Sequence, residues 1–154
     1  MTIAIDRKLE ELGLALPEAA APVAAYVPVV EAGGLLHVSG QLPFLDGALM
    51  TGRAGEDRDL AYAQEAAQRC GLMLVAQIKK HLGGDLSRVE RVVKLGVFVN
   101  SAGAFTDQPK VANGASELMQ ALFGESGRHA RSAVGVPVLP RGAVVEIDAI
   151  IAVR

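Results

Sequence analysis

Residues 129–154, "HARSAVGVPVLPRGAVVEIDAIIAVR", decide how this chain is read. Two segments have strand character, "ARSAVGV" at 130–136 and "AVVEIDAIIAV" at 143–153, and each carries a charge in its middle. Side chains leave a strand alternately on opposite faces. In the second segment Val145, Ile147, Ala149, Ile151 and Val153 make an apolar face, while Glu146 and Asp148 leave on the other. In the first, Arg131, Ala133 and Gly135 share a side. "LPRG" reads as a turn, so the two segments are expected to form an antiparallel hairpin. A register centred on Pro140 and Arg141 pairs 131 with 150 and 135 with 146. Any odd-sum register puts Arg131 and Glu146 on one side, and a slip of one residue separates them.

The neighbours of Arg131 are small: Ala130, Ser132, Ala133 and Gly135. They leave room beside a guanidinium whose planar fork suits a carboxylate or phosphate. The plain alternative is an edge-strand charge with Glu146 as its ion-pair partner, common on the open face of an antiparallel sheet. Asp148 reads as a surface residue, or as a second charge that raises the pKa of Glu146.

Working outward, "AIDRKLEELGLAL" predicts a short helix with Ile5, Leu9, Leu12 and Leu16 on one face, ended by Pro17. "AAYVPVV" and "LLHVSGQL" predict a hairpin turned by "EAGG". "FLDGALMTGRAGEDRD" is a loop region with one short strand around Leu49. Residues 59–82 predict the clearest helix, capped by Asp57 or Asp59. "VERVVKLGVFVN" is a strand, and "KVANGASELMQALFGE" is a second long helix. The order implies one α+β domain over 1–154, with 1–21 as a helical N-terminal extension and two long helices covering one face of a mixed sheet. The other face needs cover, and another subunit is the natural source.

Composition narrows the function. The 154 residues are 51% hydrophobic and 4% aromatic, so the core is aliphatic. Net charge is −2 without a long basic run, which argues against nucleic-acid binding. One cysteine, Cys70, excludes an intrachain disulfide, and its mid-helix position reads as buried and structural. With no signal peptide and no membrane-length apolar run, a cytoplasmic location is expected. His37, His81 and His129 have no ligand spacing, so no metal is expected. His129 reads equally as lining a cleft with Arg131 and as a solvated strand end.

These residues resemble the YjgF/RidA family. "ARSAVGV…LP…VVEIDAIIAV" is similar to its C-terminal signature, "GGLLHVSGQLP" to its N-terminal strand motif and "AAYVPVV" to the strand before that. The resemblance covers about residues 22–154. It implies a chorismate-mutase-like fold, a homotrimer with sheets packed inward, and sites in the clefts between subunits. It also implies hydrolysis of reactive 2-imino acids to 2-oxo acids and ammonia, without cofactor or metal. On this resemblance Arg131 grips the substrate carboxylate and Glu146 handles the proton of the attacking water. Tyr26, Gly40 and Asn113 line the cleft, and Ala133 stands where many members have a cysteine whose main-chain carbonyl helps hold that water. The segment before Tyr26 reads "PVAA" rather than glycine-proline. These departures keep open a non-catalytic trimer that binds a small carboxylate for regulation; a ribonuclease, an activity attached to the family's name, is disfavoured by the mild negative charge and the lack of a His pair or metal set.

Overall fold

The computed structural model describes residues 2–22 and 24–154. Met1 of the expected extension and Val23 of the "PVAA" segment lie outside the described residues.

A five-stranded sheet in the order β1-β2-β7-β5-β6 carries the fold. The strands are β1 (Val29–Ala32), β2 (Leu35–Gln41), β5 (Val89–Asn100), β6 (Ala130–Val136) and β7 (Val145–Val153). A two-stranded hairpin, β3 (Phe44–Leu45) with β4 (Ala48–Leu49), stands where one short strand was expected. Its turn residues Asp46 and Gly47 both have positive φ, 52° and 79°, as the tight hairpin turn of an Asp-Gly pair requires. The helices are α1 (Thr2–Glu11), α2 (Leu60–His81) and α3 (Gln108–Phe123).

Local chemistry accounts for these boundaries. The Asp59 side chain accepts from the Tyr62 N–H at 2.8 Å and starts α2, one of the two caps expected. Helix α1 ends at Glu11, earlier than its apolar spacing predicts, because Gly13 takes φ 67°. Ile5 and Leu9 are buried, Leu16 packs against the core, and Leu12 is exposed. Residues 14–22 then run as an irregular strap over α2, fastened where Gln77 Nε2 donates to the Ala20 carbonyl at 2.7 Å. Sheet and strap together explain why residues 71–78 of α2 are all buried.

The expected pairing of β6 with β7 does not occur. Strand β6 runs parallel to β5, with Arg131 opposite Leu95, and β7 runs antiparallel on the other side of β5, with Glu146 opposite Phe98. Parallel neighbours need a crossover, and α3 supplies it between β5 and β6. The "VPVLPRG" segment therefore carries the chain past the end of β5 instead of closing a hairpin. Asn100 fixes that passage: its N–H donates to the Val144 carbonyl at 2.9 Å, and its Nδ2 donates to the Ala143 carbonyl at 3.2 Å.

Helix α2 packs on β7 and β2, and α3 on β6 and β5. The buried parity of β7 is Val145, Ile147, Ala149, Ile151 and Val153, as its alternation predicts. It joins Leu95, Val97 and Val99 of β5 in the aliphatic core under the helices. Each such side chain contributes about 1.5–3 kcal/mol on leaving water. Cys70 is buried among them, its Sγ 3.6 Å from the Val145 carbonyl, and burial pushes its thiol pKa up. Among the described residues no helix is long and apolar enough to cross a membrane.

Candidate functional site

Register assigns each candidate residue to a face. Partners across a ladder share a face, so Arg131, opposite Leu95 and in turn Ala149, points to the helix-covered side. Glu146, opposite Phe98 and in turn Val134, points to the open side. The expectation that Arg131 and Glu146 share a side fails, because β5 lies between the two strands and its registers put the two residues in opposite parities.

Two separate clusters result. Arg131 Nη1 donates to Asn113 Oδ1 at 2.8 Å and to Ser116 Oγ at 3.1 Å, both on α3. Ser116 Oγ is 2.8 Å from His129 Nε2, and His129 Nδ1 is 2.6 Å from the Gly127 carbonyl. A carbonyl only accepts, so Nδ1 carries a proton and, in neutral His129, Nε2 accepts from Ser116. Burial, with a smaller effect from the Arg131 charge, lowers the His129 pKa and favours that neutral form. This chain of bonds orients the guanidinium. Ala133 lies two residues on, packed against the core. Ser116 was missed in the sequence, although its spacing of three from Asn113 puts both on one helix face.

The second cluster gathers at the β2 bulge, where Tyr26, Gly40 and Glu146 line one cavity of about 310 Å³ that Met73 and Gln77 of α2 also reach. Strand β2 bulges between Val38 and Gln41, spending three residues against two of β7. The bulge brings Gly40 onto Glu146: a Cβ there would sit 2.9 Å from the glutamate Cδ and Oε1. Burial raises the Glu146 pKa, and the Asp148 charge raises it further. Asp148 is itself half-buried and pushed up, chiefly by burial, so the simple surface reading is corrected. Tyr26 is half-exposed, in a bend before β1 and not within the strand expected there.

The guanidinium that shares this cavity belongs to Arg141, which the sequence presents only as part of the turn-like "LPRG". It has φ 59° and lies 5.7 Å from the centroid of the Phe44 ring.

The candidate residues of this mixed α+β domain thus stand in two groups, a half-buried glutamate against which a bulge presses a glycine, and an arginine held by a helix on the opposite face. Residues 6–151 match the family described as "YjgF/chorismate_mutase-like, putative endoribonuclease", and the chain belongs to that family. Protein TCP17 of Trypanosoma cruzi is 55% identical over 96% of this chain and 92% of its own. The crystal structure of the protein Atu1372 from Agrobacterium tumefaciens is 49% identical, covers 99% of this chain and 94% of that one, and superposes with a TM-score of 0.94. The 2-iminobutanoate/2-iminopropanoate deaminase of the mite Dermatophagoides farinae is 28% identical over 92% of this chain and 95% of its own.

Proposed function

We propose that this protein hydrolyses reactive 2-imino acids to 2-oxo acids and ammonia, in clefts where Arg131 of one copy faces Glu146 of another in a homotrimer. The observation that carries the reading is the division of the candidate residues into two halves, Arg131 with Asn113 and Glu146 with Tyr26 and Gly40, on opposite faces of one sheet. The relationship to a named imine deaminase supports the reaction. Exposed Val30 and Val134, with half-buried Phe98 and Ile150 on the same open face, support its coverage by another copy.

In this reaction the Arg131 fork takes both oxygens of the substrate carboxylate and fixes the C=N carbon. Glu146, as carboxylate, takes a proton from water while the water oxygen bonds to that carbon and the C=N π pair moves to nitrogen. That proton passes to nitrogen and gives the amine; the hydroxyl proton then moves through Glu146 to the same nitrogen, so that the C–N bond breaks with ammonia leaving as C=O forms. A raised pKa makes Glu146 a stronger base than an ordinary glutamate. The direct test generates 2-iminopropanoate from alanine with an amino-acid oxidase and follows its decay with and without the protein. No acceleration across several imino acids removes the reading.

Two further outcomes follow from the geometry. Gly40→Ala displaces the flexible end of Glu146 and not the backbone, so the fold survives, with a melting temperature near that of the parent. Turnover drops by about a hundredfold, the cost of a misplacement on the order of 1 Å. The pH–rate profile should rise on its acidic side above the ordinary glutamate value of 4.5, because burial and Asp148 favour the protonated form. Asp148→Asn removes one like charge and moves that limb to lower pH. Burial, the larger cause, remains, so the limb stays above the ordinary range. An unmoved limb separates Asp148 from the titration.

A further inference from the structure

The cavity that holds Glu146 extends beyond it into a chamber whose walls come from distant parts of the chain. The strap contributes Ala20, Ala21 and Pro22, the link after β2 contributes Leu42, β3 contributes Phe44 and α2 contributes Met73. Two glutamines also reach this wall, but their amide nitrogens are already engaged. Gln77 Nε2 donates to the Ala20 carbonyl at 2.7 Å and to Gln41 Oε1 at 3.2 Å, and Gln41 Nε2 donates to the Ser39 carbonyl at 3.0 Å. Both side chains are nearly inaccessible, 2% and 6% exposed. What the chamber offers a ligand is therefore mainly apolar surface, and its volume of about 310 Å³ is at the lower end of the range for small-molecule pockets.

The strap is held in place at both ends of its course. At its start α1 is docked by buried Ile5 and Leu9, and Asp6 pairs with Lys79 of α2 at 3.3 Å. At its far end lies the Gln77 bond to Ala20.

We infer that the N-terminal segment forms one wall of a side-chain pocket beside Glu146, and that this pocket selects 2-imino acids with bulky apolar side chains, of the branched aliphatic kind, over the alanine-derived imine. The inference rests on the hydrolytic reading above. A neutral polar side chain would lose its hydration here and meet amide donors that are already engaged, and a cationic one would meet the like charge of Arg141 on the same cavity. A methyl group would leave the chamber unfilled.

The experiment compares 2-imino-4-methylpentanoate with 2-iminopropanoate for turnover, and 4-methyl-2-oxopentanoate with pyruvate for calorimetric binding. It uses the full chain and two variants from opposite walls, Ala21→Phe and Leu42→Trp, whose folding is checked by thermal melting. The parent should prefer the larger member of each pair by about tenfold or more, the scale of discrimination an apolar pocket achieves. In at least one variant that melts like the parent, the ratio should collapse toward one. Turnover without preference, or a ratio unmoved in both variants, overturns the pocket and leaves the hydrolytic reading standing. A binding preference without turnover of either imine overturns hydrolysis and leaves the pocket. Absence of binding by either oxo acid, together with no turnover, overturns both.

Discussion

Mixing an Arg131→Ala variant with a Glu146→Gln variant is expected to restore activity that neither possesses alone. Arg131 is one row with Leu95 and Ala149, while Glu146 is in the row of Phe98 and Val134, three residues further along and two strands away. Standard strand spacings put their Cα atoms about 14 Å apart, and their side chains leave on opposite faces. A small imino acid cannot touch both within one chain. Each substitution alone should lower kcat/KM by about 10²–10⁴-fold, the range for losing a positioned acid–base group, with the arginine change acting by loss of carboxylate orientation. Random reassembly into trimers makes three-quarters of them mixed, and each mixed ring regains one of three sites, so about a quarter of the parent activity returns. Co-expression with distinguishable tags, and native mass spectrometry to verify mixed rings, gives the measurement. Mixed rings with no recovered turnover would rule out a site shared between copies.

The parts of the fold that follow local periodicity were legible in the chain. The strict alternation from Val145 to Val153 emerged with its apolar parity buried, and the helix expected at 59–82 is α2 at Leu60–His81. The hairpin expectation failed for a reason the chain also contained. A strand followed by a 16-residue helix and another strand calls for a parallel crossover, and that outweighs a turn-like "LPRG". What stabilises the actual route is remote in sequence. Asn100 binds the passing backbone, and Arg53 Nε donates to Asn100 Oδ1 at 3.2 Å while its Nη2 donates to the Pro137 carbonyl at 2.6 Å. No periodicity announces such bonds.

Parity within single strands did not give the grouping of the candidate residues. Tyr26, Gly40 and Glu146 come together, as do Arg131, Asn113 and Ala133, but parity arguments depend on strand order, which alternation within one strand does not encode. Chamber walls were beyond reach for the same reason. Ala21 and Met73 are separated by a long stretch of chain, and only the docking of α1 and the strap brings them to one cavity.

Gly114→Ala is expected to produce the largest loss of stability of any single methyl addition in α3. At this position α3 crosses α2 so closely that a Cβ would overlap the carbonyl oxygen of Gln64 and stand 3.0 Å from its carbon. Backbone cannot swing aside as a side-chain tip does, so the helices must part or the local turn must distort. Overpacking in a close core costs about 1–3 kcal/mol, and a clash with backbone belongs at the upper end. Against this stands the gain in helix propensity from replacing glycine, about 1 kcal/mol, which leaves a net loss of about 2 kcal/mol. The consequence reaches the site, because Gly114 lies between Asn113 and Ser116, the two residues that orient Arg131. Movement of α3 away from α2 shifts both acceptors, and KM for the imino acid should rise in the molecules that remain folded. Denaturant unfolding with an unchanged m value measures the first effect, and steady-state kinetics at a temperature well below the transition measures the second. Gly103→Ala is the control, since a Cβ there meets nothing within 4 Å. Equal stability of the two variants would mean that the α2–α3 crossing is looser than its backbone contact indicates, and that the anchor of Arg131 is not set by it.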